Sequence, residues 1–153
     1  MLIKRPKILV AAADGAHARF FAYSQDAKGG AARQVKVMDH PAPASKDLVT
    51  DRPGHGQNSN GTGHHAIEPR VSPHQMEEAK FLRDVIGEIS RESEKYDQLI
   101  IIAPPKALAI LRARMPRDQR ELVVLELNKD ALNMTEQDVA RLVENSLSSA
   151  TLH

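Results

Sequence analysis

The residues best suited to chemistry lie in one glycine-rich stretch, DRPGHGQNSNGTGHHAIEPR, at residues 51–70. The side-chain amide of Gln57 can position a water molecule or contact an RNA backbone, and the flanking glycines allow a loop to approach a ligand closely. A flexible connector is the alternative, although the DRPG sequence at 51–54 favours a tight turn and local order. The stretch predicts a candidate catalytic Gln57 and candidate RNA- or ligand-binding residues Arg52, Gly54, His55 and Gly56.

Histidines are frequent in the same region, at His55, His64 and His65, with His74 further along. Clustered imidazoles bind zinc, copper or nickel. No pair has the i, i+4 spacing of a helical metal site, and no spacing matches a known zinc pattern. We therefore expect solvated loop histidines, with no metal site and no cofactor.

Asp14 and Asp130 are candidate nuclease carboxylates, because nucleases gather several acids around two divalent ions. Asp14 precedes Gly15 between two apolar runs, a pairing typical of a tight turn. Asp130 follows a predicted strand at a point where a turn is also needed. We expect both aspartates to serve turns.

A basic stretch near the middle of the chain gives a third candidate surface. Lys106, Arg112 and Arg114 follow a buried apolar run, and Arg117 and Arg120 continue the stretch. Ligands of open α/β sheets bind outside the carboxyl ends of strands. Lys106, Arg112 and Arg114 are therefore candidate phosphate or RNA contacts, with a solvated helix face as the alternative.

The composition limits the possible functions. The 153 residues suit one domain, and 21 basic against 20 acidic residues give a net charge of +1, so any nucleic-acid or membrane binding needs a local patch. The chain has no cysteine, which excludes thiol catalysis and disulfides. The apolar run at residues 8–13 is too short for a signal peptide, and no run reaches the roughly 18 apolar residues of a membrane span, so we expect a cytoplasmic protein.

Apolar periodicity predicts the elements that must hold these residues. Residues 1–50 predict a three-stranded antiparallel meander, with one turn at Asp14 and another at Lys28-Gly29-Gly30. Residues 41–72 have loop composition. A long amphipathic helix is predicted from Pro73 to Lys95, capped by Ser72 and Gln75.

The second half predicts a βαβα order. LIIIA at 99–103 predicts a strand buried on both faces and paired in parallel. A helix follows Pro104 and ends before Pro116, ELVVLEL at 121–127 is a further strand, and Thr135 caps a final helix. The order β-β-β-loop-α-β-α-β-α predicts an α/β fold with a mixed five-stranded sheet and helices on both faces.

Several short motifs resemble those of a known bacterial family. They are ADGAHARFF at 13–21, DRPG at 51–54, HAIEP at 65–69, APPKAL at 103–108 and ELNKDAL at 126–132. In this order they resemble the family named protein required for attachment to host cells, nearly end to end. The resemblance implies a single host-attachment-type domain over residues 1–153.

That family is more distantly similar to the middle domain of archaeo-eukaryotic class I release factors and of Pelota, a mixed α/β fold related to ribonuclease H-like folds. The similarity implies a long loop in which a Gly-Gly-Gln tip organises a water that attacks peptidyl-tRNA. Here the nearest string is Gly54-His55-Gly56-Gln57, in which a histidine separates the glycines.

We therefore expect a translation-associated domain that binds the ribosome or tRNA, with peptidyl-tRNA hydrolysis as an extension. Without a signal peptide, direct adhesion is not expected, so attachment would be affected indirectly. The alternative is a noncatalytic regulatory domain that acts through a protein partner or as a homo-oligomer and displays an apolar patch.

Overall fold

The sheet begins with an antiparallel meander. The computed structural model of the chain describes residues 5–40 and 72–151. Strand β1 (Ile8–Ala13) turns back into β2 (His17–Asp26), and β2 turns back into β3 (Gly29–Asp39). Gly29 in the second turn has a φ of 122°, which glycine adopts without the steric cost of a side chain. The predicted meander is confirmed.

Two parallel strands extend the sheet on the other side of β1. They are β4 (Gln98–Ala103) and β5 (Val123–Asn128), and the strand order is β3-β2-β1-β4-β5. Parallel neighbours require crossover connections. Helix α1 (Pro73–Ser93) precedes β4, helices α2 (Pro105–Arg114) and α3 (Arg117–Leu122) join β4 to β5, and α4 (Glu136–Thr151) follows β5. The predicted mixed five-stranded α/β sheet is confirmed.

Both faces of the sheet are covered by helices, as predicted. Alternate residues of β1 point to opposite faces, so Leu9 packs with Phe81 and Val85 of α1. Val10 packs on the other face with Val139 and Val143 of α4. We call these the α1 face and the α4 face. All of β1 is buried, which explains its unbroken apolar sequence.

Helix α1 has the predicted capping box. The Ser72 hydroxyl accepts a hydrogen bond from the Gln75 N–H at 3.1 Å, and the Gln75 side chain accepts one from the Ser72 N–H at 2.9 Å. The helix ends at Ser93, two residues before the predicted Lys95. Among the described helices, none is both long and apolar enough to cross a membrane.

Helix α3 was not predicted, and it shortens the predicted strand at 121–127, which begins at Val123 instead. Gln119 of α3 is 3% exposed, and its amide donates a hydrogen bond to the Ile86 carbonyl of α1 at 3.1 Å. A helix of six residues gains little from its own hydrogen bonds. Contact with α1 therefore stabilises α3, and local sequence patterns do not report such a contact.

The strand directions bring several chain segments to one edge of the sheet. β1, β4 and β5 run in parallel, so their carboxyl ends meet there. β3 also runs parallel to β1, and its last residue, Asp39, pairs with His17 at the start of β2. We call the end of the sheet at which β1, β4 and β5 finish the carboxyl-end edge, and the end at which they begin the amino-end edge.

Candidate ligand-binding site

A cleft of about 330 Å³ opens at the carboxyl-end edge. It lies between the β1–β2 turn, the first turns of α1 and the start of α2. Its polar lining comes from Asp14, His74, Glu78 and Lys106, and its apolar lining includes Leu82 and Ile110. Small-molecule sites are clefts of this kind, with a few convergent polar groups.

Asp14 shapes the turn on one side of the cleft. Its carboxylate oxygen Oδ1 accepts hydrogen bonds from the backbone N–H of Ala16 at 2.8 Å and of His17 at 2.7 Å. Such bonds are typical of aspartate in turns, and the predicted turn role is confirmed. Asp130 likewise accepts a bond from the Leu132 N–H at 3.1 Å. Within residues 5–40 and 72–151, no three His, Asp or Glu side chains gather as metal ligands.

Glu78 is the central charged group of the cleft. Its carboxylate lies 3.2 Å from His74 Nε2 and 4.0 Å from Lys106 Nζ. Glycine at position 15 permits this arrangement, since a Cβ there would stand 2.6 Å from Glu78 Cγ. The contact with Lys106 is long and the lysine side chain is 65% exposed. The Lys106–Glu78 pair is therefore weak, and breaking it would cost little free energy.

Helix α2 adds backbone donors beside Lys106. Pro104 occupies the N-cap position, and no described side chain caps the helix by a hydrogen bond. The first N–H groups of a helix lack partners within the helix and carry a partial positive charge. Because Lys106 lies in this first turn, its ammonium group adds a positive charge beside the uncapped N–H groups, 4.0 Å from the Glu78 carboxylate.

His40 and Ser72, the described residues on either side of the segment 41–71, both contact elements that line the cleft. His40 precedes the segment, and its N–H donates to the Ala16 carbonyl at 2.7 Å. The His40 imidazole lies 2.9 Å from the Glu77 carboxylate of α1 and packs against the ring of Phe81, with ring centroids 5.9 Å apart. Ser72, which follows the segment, caps α1. The His40–Glu77 pair thus joins the residue after β3 to α1.

The predicted basic residues do not form one cluster. Lys106 lies in the first turn of α2, whereas Arg112 and Arg114 lie in its last turn, about 9 to 12 Å further along the helix axis. Two Arg112 nitrogens donate to Glu126 Oε1 of β5, at 3.0 and 2.5 Å. Hydrogen bonding to Glu126 and its negative charge raise the pKa of Arg112. Arg114 is exposed and makes no ion pair with a described residue.

The other predicted site residues lie outside the described part of the chain. These are Arg52, Gly54, His55, Gly56 and Gln57, all within 41–71. Sequence reasoning missed Glu77, Glu78 and the structural role of His40. Glu77 lies 37 positions from His40, and the pair has no signature in spacing, because chain folding alone brings the two together. The appearance of His74 and Glu78 at i, i+4 was the one local signal available.

Comparison with known proteins identifies a family. The model of the family described as protein required for attachment to host cells matches residues 9–143. No curated protein matches the sequence. The match begins at the second residue of β1 and ends halfway along α4, so it includes all five strands except Ile8.

Proposed function

The chain belongs to the family of proteins required for attachment to host cells, and on this premise we propose that it binds the ribosome or tRNA through phosphates of structured RNA. The proposed phosphate site is the cleft at the carboxyl-end edge. One observation carries the proposal: the uncapped start of α2 and Lys106 lie together at the carboxyl end of β4. Backbone donors and a cation in this position favour a phosphate.

The composition supports RNA backbone contacts over base stacking. Aromatic residues make up 3% of the chain, whereas proteins that bind single strands stack bases on aromatic side chains. Structured RNA is recognised largely through its backbone and shape. Exposed Arg114 is the proposed second contact, while Arg112 would first have to leave Glu126.

The positions of the two residues that flank 41–71 are the second support. The segment starts after His40 and ends before Ser72, and both residues lie at the carboxyl-end edge. An RNA held at Lys106 would therefore lie near both ends of the segment. We propose Arg52, Gly54, His55 and Gly56 as RNA contacts on this ground.

A release-factor-like hydrolysis is the proposed extension, and it rests on the distant family similarity. In this reaction Gln57 would orient a water molecule. The water oxygen attacks the ester carbonyl carbon of peptidyl-tRNA, the ester C–O bond breaks, and the tRNA hydroxyl takes up a proton as the peptide leaves as its carboxylic acid. An effect on attachment would then arise indirectly, through translation.

Cosedimentation with ribosomes and tRNA mobility shifts at low salt test the binding proposal. We expect Lys106→Ala to weaken binding about fivefold and to reduce the slope of log affinity against log salt by about one, since one phosphate contact is lost. Arg141→Ala is the matched control, because it removes one exposed cation from α4 on the other face. Unchanged migration of both RNAs at saturating protein would end the proposal.

Release of the acyl group from ribosome-bound peptidyl-tRNA tests the extension. We expect release by the native protein and its loss in Gln57→Ala and in a variant lacking residues 55–65. Ribosome binding by all three proteins without release would remove hydrolysis and leave a binding domain. If the protein shows neither ribosome binding nor release, the result would favour the protein-partner alternative.

That alternative has little support among the described residues. A docking surface for a protein partner requires a contiguous apolar patch. The exposed large apolar residues Val37, Met76 and Val124 belong to three different elements, and Val37 and Val124 lie on opposite edge strands.

A further inference from the structure

A second depression, of about 620 Å³, lies at the amino-end edge of the sheet, away from the cleft of the proposed RNA site. We call it the amino-end groove. It lies between the residues that enter β1, the β2–β3 hairpin and the residues that follow α1. Its volume is within the range of about 300 to 1,000 Å³ that is usual for small-molecule sites.

The charge in the amino-end groove has one sign. Four cationic residues line it, and no lining residue is acidic. They are Arg5, Lys7, Arg33 and Lys95. Such an excess is local, because the whole chain carries a net charge of +1. A concave surface lined by cations concentrates anions.

Two acidic residues contact residues of the lining but leave part of its charge unbalanced. Asp97 accepts a hydrogen bond from the Lys7 backbone N–H at 2.8 Å, and Glu92 lies 3.5 Å from Lys95 Nζ. The side chains of Lys7 and Arg33 make no ion pair with a described residue. These two side chains are the groups best placed to bind an anion.

The rest of the lining is small, apolar and aromatic. Ala22 and Ala31 contribute short side chains from the hairpin, so the groove keeps room for a ligand. Half-buried Tyr96 contributes an aromatic side chain beside Lys95. A planar ligand body would bury apolar surface against these residues while its charged group meets the cations.

We infer that the amino-end groove binds a phosphate ester carried on a planar body, the chemistry of a mononucleotide. The cations Lys7 and Arg33 bind the phosphate, and the alanines and Tyr96 contact the base. The site is independent of the proposed RNA site, because the two lie at opposite edges of the sheet.

Calorimetric titration of the full chain with AMP, adenosine and inorganic phosphate tests the inference. We expect AMP to bind with one-to-one stoichiometry and at least tenfold more tightly than adenosine or inorganic phosphate. Lys7→Ala and Arg33→Ala should each weaken AMP binding about fivefold. Ala31→Phe should abolish it by filling the groove, while circular dichroism shows a folded protein.

Two controls make the result specific. Lys28→Ala removes a cation from the tip of the same hairpin that does not line this groove, and it should leave AMP affinity unchanged. Lys106→Ala should also leave it unchanged, so failure here is distinguishable from failure of the proposed RNA site. Absence of AMP binding at millimolar concentration, or equal effects of Lys28→Ala and Arg33→Ala, would overturn the inference. Inorganic phosphate binding as tightly as AMP would overturn the mononucleotide assignment.

Discussion

Glu88 of α1 is the charged residue whose replacement should affect stability most clearly. Its side chain faces the sheet and is 6% exposed. Oε1 accepts two hydrogen bonds from Arg91, at 3.1 and 2.6 Å, and Oε2 lies 3.3 Å from Lys36 Nζ of β3. Burial alone would raise the pKa of Glu88, but the hydrogen bonds and charges of Arg91 and Lys36 outweigh burial and lower it. The carboxylate thus joins the edge strand to α1.

Glu88→Gln keeps the shape of the side chain and removes its charge. Hydrogen bonds to charged groups contribute about 1.5 to 3 kcal/mol, against about 0.5 to 1.5 kcal/mol for neutral ones. Solvent screens the interaction, since the Lys36 and Arg91 side chains are 40% and 70% exposed. We therefore expect the free energy of unfolding at pH 7 to fall by about 1 to 2 kcal/mol, which lowers Tm by roughly 3 to 6 °C.

The pH dependence of the stability difference between the native protein and Glu88→Gln distinguishes an effect of the charge from an effect of packing. A carboxyl group with a lowered pKa in the folded state stabilises the protein above its unfolded pKa and loses this effect as the pH falls through the folded value. Urea unfolding should show the full difference in the free energy of unfolding between the two proteins at pH 7. This difference should become smaller as the pH falls below about 4. Glu121→Gln, in an exposed pair with Arg117, is the control and should cost at most about 0.5 kcal/mol. A difference that does not change with pH would refute the electrostatic explanation.

Three further substitutions test other contacts. Burial raises the pKa of Tyr23, so the free energy of unfolding of the native protein should fall as the pH rises above about 10. Urea unfolding at pH 9 and 11 should show a smaller fall for Tyr23→Phe. Gly30→Ala would place a Cβ 2.2 Å from the buried Tyr23 hydroxyl. Thermal unfolding should show that the free energy of unfolding falls by about 1 to 3 kcal/mol. His40→Ala removes the contacts with Glu77 and Phe81. The free energy of unfolding should fall by about 1 to 2 kcal/mol, and the amide at position 40 should exchange its hydrogen faster. Exchange rates equal to the native ones would show that these contacts do not hold position 40 against α1.

Local patterns explain why most elements could be predicted. The buried runs of β1 and β4, the capping box of α1 and the Thr135 cap of α4 are each complete within a few residues. Thr135 accepts the predicted hydrogen bond from the Asp138 N–H at 3.0 Å. Helix α3 could not be found in this way, because the buried Gln119 depends on a carbonyl 33 positions away.

Short-range patterns were enough to predict the fold class and the turn at Asp14, because periodicity, caps and turns are local properties of the chain. Which candidate residues share a surface depends on the folded arrangement. It separated Lys106 from Arg112 along α2, brought Glu78 against Gly15, and paired His40 with Glu77. These contacts depend on how the sheet and helices close on one another, and the burial that drives this closure has no preferred sequence spacing.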